Sequence, residues 1–249
     1  MRYFLRLSYN GTPFHGWQIQ PRDVSVQQTI EEALATILRH PAPLVGAGRT
    51  DTGVHAREMF AHFDTDVPLT EPERFLRGLN RLCGRDIAIH ELLPVREDAH
   101  ARFDATARTY KYFASLAKTP FLYPLTWQAP RSLDVESMNH AAALLLETED
   151  FTSFAKLHSD AKTNICRVSH ARWEREGEDL LVFTITADRF LRNMVRAVVG
   201  TLVDVGRGKI SIDRFREIIE RKDRCEAGTS MPPQALFLWK IDYPAEIFV

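Results

Sequence analysis

Residues 46 to 56, GAGRTDTGVHA, hold one carboxylate, Asp51, with Arg49 two positions before it and Gly46, Gly48 and Gly53 around it. Glycine permits a left-handed backbone or the close approach of a ligand, so such a loop can present Asp51 to a bulky substrate. Side chains two apart in an extended segment share a face, which sets the Arg49 guanidinium beside the acid, and a neighbouring cation favours a charged carboxylate. An ionised acid in a loop is a nucleophile or a base. The same residues also suit an ordinary turn, with Asp51 capping the backbone and Arg49 in solvent.

Other chemistries can be weighed on these residues. Asp51-Thr52-Gly53 spells the triplet of aspartic proteases, in which two carboxylates share a proton. The chain has no second triplet of this kind, so only a dimer could supply the other acid, and Arg49 opposes the sharing. A glycosidase needs two carboxylates flanking one bond; Glu58 and Asp64 are the nearest, and nothing marks either as a partner. His55, His62, Asp64 and Asp66 are metal-ligand types, but their spacing fits no compact zinc or calcium pattern. They read as side chains of a strand and turn, and no metal is expected.

The flanking pattern says what must position the loop. RYFLRLSYN alternates like a strand, and SVQQTIEEALATILRH has helical spacing after Ser25, a candidate cap. After the loop come the alternating MFAHFDTD, a helix over TEPERFLRGLNRL with Thr70 as its cap, and a strand DIAIHELLPV, an order read as β-α-β-β-α-β. The second half repeats it. RTYKYFASL, CRVSHARWERE, LLVFTITADRF and ALFLWKIDY read as strands; DVESMNHAAALLLE and FLRNMVRAVVGTLVDV read as helices, with an extra helix SIDRFREIIERK before the last strand. The expected fold class is therefore α+β: two tandem ferredoxin-like (split βαβ, RRM-like) halves, residues 1–105 and 106–249, whose antiparallel sheets form a central cleft.

Composition bounds the rest. The 249 residues suffice for a sizeable core, and 45% hydrophobic with 26% charged residues is ordinary globular usage. Apolar runs such as AAALLLE and MVRAVVGTLVDV are too short or too interrupted to span a membrane, and MRYFLRLSYN lacks a signal core, so a cytoplasmic protein is expected. Cys83, Cys166 and Cys225 form no CxxC pair and read as reduced thiols. A net charge of −1 argues against unspecific coating of nucleic acid, yet 25 of the 32 basic residues are arginine. Arginine's planar, permanently charged fork suits phosphates and stacks on bases; a general arginine preference would leave the same mark.

GRTDTGVHA with the following HF resembles the catalytic signature of the TruA family of tRNA pseudouridine synthases. SYNGTPFHGWQIQ, HARFDATARTYKYF, TEDFTSFAK, DRFLRNMVRAVVGTL and a closing LFLWKIDYP resemble further family blocks in the same order, so the resemblance spans essentially the whole chain. It implies isomerisation of uridine to pseudouridine in the anticodon stem-loop of tRNA, at nucleotide positions 38, 39 and 40, without cofactor or metal. The base is detached at N1, turned and rejoined through C5. Asp51 matches the catalytic aspartate, which would attack the sugar C1′ or the base C6, or assist a glycal route.

By the same resemblance, Tyr110 matches an aromatic residue that contacts the target base, whereas the alternating strand alone would also allow a core tyrosine, with Tyr112 on the same side. Arg192 and Arg196 lie four apart, which on a helix is one face. The resemblance gives a basic residue of this block the role of pairing with Asp51; Arg196 is favoured, with Arg192 and Arg49 as alternatives. His15, Gly16, Trp17 and Gln18 could line an RNA cleft, although a buried Trp17 fits equally. Arg22, Arg57 and Arg108 are phosphate candidates. Met231 and Ala235 depart from the Ala and Gly more usual in the closing block and could narrow the range of uridines. The expected partners are tRNA and, since the family is dimeric, a second copy of the chain. An RNA-binding module without catalysis is the other reading, weakened by the absence of an RNP1-like aromatic run.

Overall fold

The computed structural model describes residues 1–156 and 162–249. In chain order they form β1 (Arg2–Tyr9), α1 (Val26–Leu38), β2 (Val45–Gly46), β3 (His55–Asp64), α2 (Pro72–Leu82) and β4 (Ile87–Val95). There follow β5 (Ala107–Ser115), β6 (Trp127–Gln128), α3 (Val135–Ala143), β7 (Val168–Glu176), β8 (Leu180–Ala187), α4 (Met194–Gly206), α5 (Ile212–Arg221) and β9 (Leu236–Asp242). The chain is mixed α+β and divides into two compact units, Met1–Ala107 with Leu238–Val249, and Arg108–Phe237.

In the first unit the strands run β4-β1-β3-β9, with the short β2 on β3. β1 is antiparallel to both neighbours, with Leu5 opposite Ala61 of β3 and Leu92 of β4. Tyr3, Leu5, Leu7 and Tyr9 alternate along β1 and are buried. Phe4 points the other way and is also buried, because Tyr243 and Phe248 of the C-terminal segment meet it edge-on. That segment is why the tail belongs to this unit.

The helices follow from spacing and caps. α1 buries Val26, Ile30, Ala33 and Leu34, and Ser25 caps it by accepting from the Gln28 amide, as the sequence suggests. α2 buries Phe75 and Leu79. Thr70 is not its cap: the N-cap is Glu71, which makes no side-chain capping bond, and Pro72 opens the helix. Proline at the first position presets φ and has no amide to satisfy, so the start needs no hydroxyl.

In the second unit β8 lies between β5 and β7, antiparallel to both, and β6 runs parallel to the end of β5. α4 is buried nearly all round. Gly200 lets another backbone approach it, since a Cβ there would lie 1.9 Å from the Thr229 carbonyl oxygen. Gly206 makes room for the Met138 side chain of α3, whose sulfur would lie 2.4 Å from a Cβ there. The apolar pattern suggests a helix from Phe190, but α4 begins at Met194. Asn193 takes a left-handed conformation (φ 65°) and donates from Nδ2 to the Ser230 hydroxyl at 2.5 Å, which stops the helix from extending backwards. Arg192 thus precedes the helix and shares no helical face with Arg196.

Candidate active site

Asp51 lies half-buried in the loop between β2 and β3, and the backbone on both sides of it is tied to residues 9–17. Before it, the Thr50 carbonyl accepts from the Trp17 amide at 3.2 Å, and the Thr50 and Tyr9 hydroxyls share a buried hydrogen bond of 2.8 Å. After it, the Asp51 carbonyl accepts from the Val54 amide at 3.1 Å, closing a turn in which Gly53 has φ 76°. The Gly53 amide in turn reaches the Phe14 carbonyl at 3.4 Å. Gly16 makes the approach possible. Its φ is 87°, and a Cβ there would sit 2.4 Å from the Thr50 oxygen.

The other glycines of the motif differ in purpose. Gly46 lies against the Trp17 indole, where a Cβ would come within 2.5 Å of the ring. Gly48 has nothing within 4 Å of where its Cβ would be, so the loop is open on that side. Arg49 is exposed.

The neighbouring loop sorts its residues by burial. Trp17 is 2% exposed and sits beside Tyr9, a floor under the motif loop. His15 is exposed, with its Nε2 3.7 Å from the Asp23 carboxylate, and Gln18 is half-buried. Arg22 is exposed in a turn with φ 73°. On β3, Arg57 is exposed and lays its guanidinium 4.5 Å from the centre of the Trp239 ring. The Glu58 carboxylate accepts from the Ile241 amide at 3.0 Å, a structural engagement with β9.

The histidines of β3 are likewise spoken for. His55 Nδ1 accepts from the Gly11 amide at 3.0 Å, and His62 Nδ1 from the Ala101 amide at 3.1 Å. Burial, aided by the charge of Arg2, depresses His62 to about 4, so it is neutral at physiological pH. Asp64 forms a two-point pair with Arg2, both bonds 2.8 Å, which holds its carboxyl below the usual range.

In the second unit Tyr110 is half-buried on β5, and Phe190 meets its ring edge-on at 5.1 Å. Tyr112 faces the same way but is fully buried; its hydroxyl donates to the Pro232 carbonyl at 3.2 Å, and burial pushes its phenol pKa up, so it stays protonated. The alternation thus contains both kinds of tyrosine. Arg108 donates to the Asp188 carbonyl at 2.7 Å.

Arg196, on the first turn of α4, is half-buried and donates from Nε to the Met231 carbonyl at 2.6 Å, while the Met231 amide returns a bond to the Arg196 carbonyl at 3.1 Å. The Met231 side chain is itself buried, and Ala235 is completely so. Arg192 is exposed, and its carbonyl accepts from the Lys156 amide. Sequence reasoning missed the supports. Nothing local marks Tyr9 as the partner of Thr50, or Ser230 and Met231 as the residues that fix Asn193 and Arg196.

A sequence model of the family described as tRNA pseudouridine synthase matches residues 141–244. The class is that of the pseudouridine synthases, which are isomerases. Over 247 residues the chain is 58% identical to "tRNA pseudouridine synthase A" of Parabacteroides distasonis, covering 99% of this chain and 98% of that protein. The protein of the same name from Bacteroides fragilis is 55% identical over 247 residues, with coverage of 99% and 98%. That of Geobacter sp. strain M21 is 39% identical over 245 residues, with coverage of 96% and 98%. The chain belongs to the tRNA pseudouridine synthase A family.

Proposed function

We propose that this chain isomerises uridine to pseudouridine at nucleotide positions 38, 39 and 40 of the tRNA anticodon stem-loop, with Asp51 as nucleophile and no cofactor. The observation that carries the reading is the clamped backbone on either side of Asp51, which fixes one carboxylate in a loop open at Gly48. Preorganisation of this kind suits an acid that must meet a substrate atom in one geometry. The reaction needs no outside reagent. The N1–C1′ bond breaks, a C5–C1′ bond forms, C5 gives up its hydrogen, and N1 takes one.

A base must leave its stack before this chemistry, at a cost of about a few kcal/mol, and an aromatic surface offsets part of it. Tyr110, half-buried with a supporting Phe190, is assigned that contact. Arg196 is assigned the catalytic cation, because its guanidinium is held in one orientation by Met231. Arg49, Arg57, Arg108, Arg192, His15 and Gln18 are assigned to RNA contact, and Trp17 to support of the loop. RNA recognition by shape draws on such scattered contacts.

The fold part of the reading is two ferredoxin-like halves. Within the first unit the order β4-β1-β3-β2, with α1 and α2 as crossovers, supports it. A cytoplasmic homodimer completes the proposal; a monomeric mass by light scattering at working concentration would refute the dimer. The reaction itself is tested by mapping pseudouridine in unmodified tRNA after incubation with wild type and with Asp51→Ala.

A further inference from the structure

Phe103 is an exposed aromatic ring held in a fixed turn. His100 Nδ1 accepts from the amides of Arg102 and Phe103 at 3.1 and 3.3 Å. The His100 amide donates to the Asp104 carboxylate at 2.7 Å, and its carbonyl accepts from the Asp104 amide at 3.0 Å. The His100 ring packs on Phe103 with centroids 4.3 Å apart, and the buried His62 backs it at 4.7 Å. Even so, Phe103 is 74% exposed, and the exposed Arg102 sets its guanidinium 5.8 Å from the ring centre.

This arrangement immobilises an apolar ring without burying it. A ring already fixed loses little freedom when a flat partner stacks on it, so the scaffold prepares for a ligand rather than stabilising the unit. An exposed aromatic ring with a cation over it matches a base with its phosphate: the ring stacks on any base, and the mobile guanidinium meets the anion.

We infer that Phe103, backed by His100 and flanked by Arg102, is a stacking platform for one unpaired nucleobase of the tRNA. The site lies wholly in the first unit and rests on the reading that tRNA is the substrate. Stacking makes it tolerant of base identity, so it contributes affinity rather than choice of uridine.

The test measures the dissociation constant for unmodified tRNA by filter binding, and KM and kcat, for wild type, Phe103→Leu, Phe103→Ala and Phe103→Trp. The expected result is about tenfold weaker binding and a similar rise in KM for Phe103→Leu and Phe103→Ala, with kcat within about twofold and Phe103→Trp near wild type. Phe103→Leu keeps apolar bulk, so it remains readable if Phe103→Ala folds poorly. Unchanged binding in Phe103→Leu would overturn the inference. So would a change of oligomeric state in light scattering, which would make the patch a contact between copies. A wild type that binds tRNA without making pseudouridine would sink the proposed reaction and leave this binding test intact.

Discussion

The hydroxyl groups of Tyr9 and Thr50 meet at 2.8 Å in a buried position one residue ahead of Asp51. The last residue of the first strand therefore holds the loop that carries the acid. Tyr9→Phe removes one hydroxyl and leaves the other short of a partner, a loss of about 1–2 kcal/mol. Thermal unfolding should show Tm lower by about 2–8 °C for a chain of this size. Single-turnover kinetics should show a slower chemical step, with tRNA affinity unchanged.

Gly16 and Gly48 make a matched pair for substitution by alanine. Gly16→Ala adds a Cβ 2.4 Å from the Thr50 oxygen at a residue with φ 87°, so the clamp must shift and Asp51 with it. A displacement of about 1 Å can cost on the order of 100-fold in rate, and a clear drop in Tm should accompany it. Gly48→Ala meets nothing within 4 Å, and its stability should stay within about 0.5 kcal/mol of wild type. Equal effects in the two variants would contradict the assignment of Gly16 as the close-approach residue.

His62 predicts the direction of the acid response. Its folded value is depressed to about 4, so the unfolded chain binds the proton first as pH falls. The stability that neutral His62 contributes is complete above its ordinary value near 6.5 and is lost as pH falls from there toward 4. By pH 5 this one group should account for about 2 kcal/mol. Urea unfolding at pH 7 and pH 5 checks it against His62→Asn, whose amide oxygen can accept from Ala101 without titrating; the variant should lose less stability between the two.

Arg196→Lys keeps the charge but removes the Nε donor that binds the Met231 carbonyl. Lysine is a point charge on a flexible stem and cannot hold the guanidinium's orientation. The expected outcome is a fall in kcat of about tenfold or more with tRNA binding nearly retained. An unchanged kcat would remove Arg196 from the catalytic role.

Periodicity and caps made the elements legible wherever the decisive residues are close in sequence. Ser25 and the Val26, Ile30, Ala33, Leu34 stripe of α1 are local, and they read correctly. The start of α4 was not legible, because Asn193 is turned by a bond to Ser230, 37 residues away. Residue type alone favours Thr70 as a cap, whereas Pro72 fixes the helix start. The motif around Asp51 stood out because glycine, arginine and aspartate are unusual together. A buried Trp17 is one of the two readings its loop allows, but the supporting roles of Tyr9 and Gly16 are invisible locally, since their meaning lies in what the folded backbone brings against them. Burial of Phe4 by Tyr243 and Phe248 is equally nonlocal.

The most direct measurement incubates unmodified tRNA with purified wild type and with Asp51→Ala, then maps pseudouridine by chemical labelling and primer extension. Wild type should give stops within the anticodon stem-loop at positions 38 to 40, and Asp51→Ala should give none while still binding the tRNA. Pseudouridine formed equally by the variant would contradict the role of Asp51, and stops only outside the anticodon stem-loop would contradict the proposed site of modification.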